Sequence, residues 1–127
     1  MSPLIPILSY PDARAAIDFA CEAFGAERLM VVDAPDGGVA HSELRLAGGV
    51  LMIGQATDGG DGRLAIPPGG AVYATVDDPD ALCERARAAG AEVLRGPEDT
   101  DYGSREFSAR DPQGVVWSFG TYVPASG

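Results

Sequence analysis

The chain repeats itself, and this constrains its fold more than any other feature of its sequence. Slid by 65 positions, residues 11–54 lie over residues 76–119 without a gap and agree at 12 of 44 positions. About 4 matches would be expected by chance in a chain so rich in Ala and Gly. The matches include the turn glycines Gly25/Gly90, Gly38/Gly103 and Gly49/Gly114, and the charged pairs Glu27/Glu92 and Arg45/Arg110. Two copies make a duplicated unit, whereas a solenoid needs at least three.

Each copy reads in the same order. Residues 4–10 and 71–76 are short apolar strands. Pro11-Asp12 opens a first helix carrying Ile17, Phe19, Ala20 and Phe24, and Gly25 ends it. Asp78-Pro79-Asp80 opens a second helix carrying Leu82 and Ala86, and Gly90 ends it. Three strands follow in each copy: 28–33, 39–46 and 50–55, then 92–95, 105–110 and 115–121, separated by glycine-bearing turns. The expected unit is therefore βαβββ, twice, in one α+β domain of residues 1–127. The modules span about 1–57 and 70–123, joined by a Gly/Pro-rich link at 58–69. Each curved sheet has a helix on one face, which leaves the other face to be covered. Two such modules are expected to form a partly closed barrel around a cavity, and a homodimer is a natural way to cover it.

Composition narrows the partners. With 127 residues the chain can bury a core without disulfide or metal staples. Its formal net charge of −10 repels phosphate backbones and anionic lipid, so neither nucleic acid nor membrane is an expected partner. No apolar run approaches the roughly 20 residues that span a bilayer. No basic region leads into a hydrophobic stretch at the N-terminus, so the expected location is the cytoplasm. Cys21 and Cys83 lack the paired spacing of a zinc site and read as small buried hydrophobes.

Strand alternation sorts the side chains. In residues 40–46, Ala40, Ser42, Leu44 and Leu46 should meet the helix, leaving His41, Glu43 and Arg45 on the concave face. Their counterparts 65 residues on are Glu106, Ser108 and Arg110, with Phe107 and Ala109 on the helix side. Val115, Trp117 and Phe119 read as core, while Val116, Ser118 and Gly120 face inward. Tyr10, Tyr73 and Tyr102 are further candidates for the pocket wall, Tyr102 in a turn-rich segment at 98–104 that would act as a flap. Arg45 and Arg110 are expected to pair with carboxylates at the barrel rim, and Arg105 with Glu106. The glycines form no phosphate-binding loop, and no residues set up a nucleophile triad.

Taken together, residues 9–19 (SYPDARAAIDF), 24–26 (FGA), 41–44 (HSEL), 101–107 (DYGSREF) and 111–118 (DPQGVVWS) resemble the vicinal-oxygen-chelate superfamily, also called the glyoxalase, bleomycin-resistance and dioxygenase superfamily. The resemblance covers nearly the whole chain. It implies the paired βαβββ fold but no single reaction, because the fold hosts isomerases, dioxygenases, thiol transferases and drug-sequestering proteins. The superfamily's metal enzymes place ligands on the first and last strand of each module. Those positions fall here on Pro6, Ile53, Ala71 and Ser118, with Met52 in place of Ile53 if the register moves by one. Such residues are poor ligands for a divalent ion. No cofactor is therefore expected, and a metal built on His41 and Glu43, completed by Glu106 or a dimer mate, is the minority reading.

The leading expectation is a metal-independent protein that binds a small, partly aromatic or polycyclic molecule, as in antibiotic or toxin sequestration, through His41, Glu43, Ser108, Ser118, Tyr10, Tyr73 and Tyr102. The alternative is an acid/base or metal-dependent lyase, isomerase or dioxygenase in which His41, Glu43 or Glu106 moves a proton. A third possibility is an accessory module whose cavity is vestigial.

Overall fold

The computed structural model describes residues 4–56 and 70–123; the whole of the expected link at 58–69 lies outside the described residues, together with both termini. The element order is β1 (Ile7–Tyr10), α1 (Ala13–Phe24), β2 (Glu27–Asp33), β3 (Val39–Leu46) and β4 (Gly49–Gln55), then β5 (Ala71–Thr75), α2 (Pro79–Ala88), β6 (Glu92–Asp99), β7 (Arg105–Arg110) and β8 (Val116–Gly120). This is the duplicated βαβββ unit of an α+β fold. The strands form two curved four-stranded sheets, ordered β1-β4-β3-β2 and β5-β8-β7-β6. In each, the first strand runs parallel to the last and the remaining pairs are antiparallel.

Local chemistry explains the helices. The Asp12 carboxylate accepts from the Ala15 N–H at 3.1 Å and caps α1. Gly25 ends it in the left-handed region, at φ 76°. Asp78 caps α2 in the same way, followed by Pro79 in the first turn, where its missing N–H costs nothing. The buried side of α1 is mostly alanine (Ala13, Ala16, Ala20, Ala23) with Ile17 and Phe24, which lets α2 approach closely. Arg85 of α2 then reaches the C-terminal end of α1, donating to the Glu22 carbonyl at 2.9 Å and the Cys21 carbonyl at 3.3 Å.

A single buried cluster draws on both modules, with Ile17, Phe24, Leu44 and Ile53 from one and Phe107, Trp117 and Phe119 from the other. The Phe24 ring lies 4.8 Å from Trp117 and 4.9 Å from Phe119, centroid to centroid. Asp111 provides the polar lock. Its Oδ2 accepts from the Tyr10 hydroxyl at 2.7 Å and from Trp117 Nε1 at 3.0 Å, and its Oδ1 accepts from the Gln113 and Val115 amides. Gln113 adds a two-point bridge to the backbone of Asp12. Cys83 is buried and Cys21 half-buried, both as free thiols.

Four expectations are corrected. Ala40 does not face the helix: a bulge opposite Val32 and Asp33 skips it, so Val39 is buried and Ala40 exposed. Tyr10 is no pocket wall but a fully buried core residue, on the same side of β1 as Leu8. The strand expected at 92–95 runs on to Asp99, so the turn that carries Tyr102 is confined to residues 100–104. Arg105 does not pair with Glu106; alternation puts it on the other side of β7, where it binds Asp80 and Asp99.

Candidate functional site

The faces of the two sheets turned away from the buried cluster carry the polar candidates. On the first sheet His41 Nε2 lies 2.9 Å from Glu43 Oε2, both side chains partly exposed. Their cross-strand neighbours are apolar: Val32 opposite His41, Met30 and Met52 opposite Glu43, and Ile7 beside Met52. Ile7, Met30 and Val32 are all exposed. At the rim Arg45 approaches Glu27 at 3.7 Å, as its repeat partner Arg110 approaches Glu92 at 3.1 Å.

On the second sheet the same place holds Glu106, buried at 2% exposure. Its Oε2 accepts from the Tyr73 hydroxyl at 2.8 Å, and its Oε1 accepts from the Tyr102 hydroxyl at 2.8 Å and from Arg95 at 3.4 Å. Burial by itself pushes the Glu106 carboxyl up. Donation from Tyr73, Tyr102 and Ser104, together with the charge of Arg95, outweighs burial and holds it below the usual glutamate value. The carboxyl therefore stays ionised. Tyr73 moves the other way, its phenol raised by burial and by the neighbouring carboxylate, and Tyr102 is raised mainly by its bond to Glu106. Both remain protonated donors. Beside them the Ser108 and Ser118 hydroxyls bond each other at 2.7 Å. Gly120 makes the cluster fit, since a Cβ there would overlap Tyr73 Oη and the Glu106 side chain.

The structure thus brings Glu106, Tyr73 and Tyr102 together, Ser108 to Ser118, and His41 to Glu43. No hydrogen bond among the described residues links the first-sheet pair to the second-sheet group. Sequence reasoning put Gly120 on this inward face and missed Arg95 and Tyr122. Arg95 is hidden by a register shift in β6 on either side of it. Tyr122 lies past the last strand, where alternation gives no direction. Its ring stands edge-on to Tyr102 at 5.7 Å and to Tyr73 at 6.5 Å. An open groove of about 500 Å³ lies between the modules and shares Tyr73 with this cluster, lined by Leu4, Ile5, Pro6 and Val50 on one side and Val72, Tyr73 and Thr75 on the other.

The positions that the resemblance assigns to metal ligands do not fit a divalent ion. Pro6 precedes β1 and contributes its carbonyl to the Met52 amide. Ile53 is in the core at 1% exposure, and Met52 takes its place on the open face. Ala71 and Ser118 do share the open face of the second sheet, but a methyl and a hydroxyl already bonded to Ser108 offer no strong donor. Among the described residues no three His, Cys, Asp or Glu side chains gather as a metal site would require.

Comparison with known proteins agrees with this architecture. The sequence profile of the Glyoxalase/Bleomycin resistance protein/Dioxygenase superfamily matches residues 6–119. An uncharacterized protein of Mycobacterium bovis is 38% identical over 126 residues, covering 94% of this chain and 83% of that protein. Among solved structures, TioX from Micromonospora sp. ML1 superposes with a TM-score of 0.79 at 28% identity, covering 97% of this chain and all of that one. A lactoylglutathione lyase from Agrobacterium tumefaciens has a TM-score of 0.69 at 21% identity, over 94% of this chain and 93% of that one, and shows the shared fold. The chain belongs to the glyoxalase/bleomycin resistance protein/dioxygenase superfamily.

Proposed function

We propose that this chain is a metal-independent binding protein that holds a small, partly aromatic or polycyclic molecule, sequestering an antibiotic or toxin by stoichiometric capture. The observation that carries this reading is the second-sheet face. There, an ionised carboxylate is closed off by two tyrosines, one of which, Tyr73, also lines an apolar groove, while the positions that would hold a metal carry Met, Ala and Ser. An apolar wall with a few fixed polar anchors is what a binding site needs, and no covalent step is required of it. The exposed Ile7, Met30 and Val32 support a homodimer, in which a second copy covers the open faces. No helix among the described residues is long and apolar enough to cross a membrane, and the cytoplasm is the proposed setting.

The test is a native mass spectrum of protein purified without chelators or a metal-affinity column, followed by a ligand screen with polycyclic compounds. A metal-free dimer that retains or captures one organic molecule per site is the expected result. A stoichiometric divalent ion, or turnover of a screened compound, would overturn it. The His41–Glu43 contact at 2.9 Å favours a second reading, an acid/base lyase or isomerase in which the carboxylate orients the imidazole. That reading requires turnover that disappears in His41→Ala while binding survives.

A further inference from the structure

The second-sheet face holds more than one buried carboxylate. Tyr73, Tyr102 and Tyr122 are 40%, 58% and 44% exposed, so solvent reaches all three neighbouring aromatics. Tyr122 stands at 78° to Tyr73 and at 84° to Tyr102, so its ring is set across both of theirs in one aromatic cluster. The rings are fixed from behind. Tyr73 and Tyr102 are tied by their hydroxyls to the two oxygens of Glu106. Tyr122 is held by its backbone, whose N–H donates to Ser104 Oγ at 3.1 Å and whose carbonyl accepts from Thr75 Oγ1 at 2.6 Å.

Two physical consequences follow. A phenol that donates to a carboxylate becomes richer in electrons, which makes its ring face more negative. Ring faces of that kind attract a cation whose charge is spread over alkyl groups and which gives up its water readily. Glu106 adds a negative charge behind the rings that a ligand senses but does not touch, because the carboxylate is buried and its oxygens are occupied. A strongly hydrated metal ion has no ligand to gain here. Tyr73 and Thr75 also line the apolar groove, so a ligand with its head against these rings can lay an uncharged body along it.

We infer that Tyr73, Tyr102 and Tyr122, backed by Glu106, form an aromatic cage for an alkylated ammonium group. This rests on the small-molecule reading of the same face and names the chemical class of its ligand. The formal charge of −10 draws cations to the surface in general, so the experiment separates the rings from that background. Choline and its uncharged isostere 3,3-dimethylbutan-1-ol are titrated into the intact protein, and the tyrosine ring resonances are followed by NMR.

Choline is expected to shift these resonances saturably, and the isostere to bind at least about 10-fold more weakly. Tyr122→Leu leaves net charge unchanged and keeps the backbone bonds to Ser104 and Thr75. It should weaken choline binding by about 5- to 30-fold, while Tyr122→Phe restores it. Amide spectra of both variants report whether the fold is kept. Equal binding of the two probes, or choline binding untouched by Tyr122→Leu, overturns the cage. So does an absence of choline binding, and a polycyclic compound captured in the screen would then leave the small-molecule reading standing by itself.

Discussion

The open faces of the two modules sit at equivalent places in two copies of one unit and carry different chemistry. Glu106 occupies the place of His41, Ser108 that of Glu43, Tyr73 that of Ile7 and Ser118 that of Met52. On the first sheet a half-exposed His–Glu pair lies among exposed aliphatic side chains. On the second, an ionised carboxylate is buried under aromatic donors. Duplication supplied one backbone twice, and the side chains then diverged into an apolar surface and a polar receptor. The helix-facing sides keep a largely apolar character, because both must fill the same shared core, although the residues themselves differ, as Leu44 does from Ala109 and Leu51 from Trp117.

The hairpins before the last strands also differ. In the first module Arg45 lies opposite Val50 and Glu43 opposite Met52; in the second, Arg110 lies opposite Val116 and Ser108 opposite Ser118. The second turn is one residue longer, and the extra length accommodates Asp111 and its four donors. Removing that carboxylate should therefore give the largest effect. Asp111→Ala leaves the Tyr10 hydroxyl and the Trp117 indole N–H buried without an acceptor, at a cost of about 3–5 kcal/mol. Leu46→Ala, at the repeat-equivalent and half-buried position, should cost about 1 kcal/mol. Urea unfolding of both variants measures the difference, and equal losses would mean that Asp111 is not the lock between the modules.

This turn also explains what was legible in the sequence and what was not. The 65-residue repeat reads correctly through β3 and β7, so the faces of His41, Glu43, Glu106, Ser108, Phe107 and Ala109 follow from alternation alone. Past the turns the offset becomes 66, and a gapless comparison puts Ile53 where Met52 stands. The bulges at Ala40 and around Arg95 are invisible for the same reason: an inserted residue changes direction without changing composition. Tyr10 fails differently. As an aromatic with a polar tip it suits a pocket wall or a core equally, and only the position of its partner Asp111, 101 residues away, decides between them.

A second comparison pairs two glycines. Gly54 and Gly120 occupy equivalent places near the ends of β4 and β8, yet a Cβ at Gly54 meets nothing within 4 Å, while one at Gly120 meets Tyr73 and Glu106. Gly120→Ala should destabilise by about 1–3 kcal/mol through overpacking, and Gly54→Ala should stay within about 0.5 kcal/mol of the parent. Thermal unfolding of the two variants is a direct check. A tolerated Gly120→Ala would show that the Tyr73–Glu106 contact yields easily and that this face is less preorganised than the geometry indicates.

The smallest expected effect concerns charge. Because the folded protein holds the Glu106 carboxyl below its usual value, the unfolded chain binds this proton more readily. The ionised group therefore stabilises the fold above the ordinary glutamate range, near about 4.3, and that contribution is lost as pH falls through the lower folded value. Glu106→Gln keeps one acceptor for a tyrosine hydroxyl and loses the charge. It should cost about 1 kcal/mol at pH 7 and progressively less as the solution is acidified, until variant and parent converge. Glu43→Gln, at a partly exposed side chain paired with His41, should cost less than about 0.5 kcal/mol at pH 7. Chemical unfolding of both variants across pH 3–7 distinguishes the two faces. If the Glu106→Gln difference were constant with pH, its tyrosine bonds alone would account for the loss, and the ionised carboxylate would have no separate part in organising the second face.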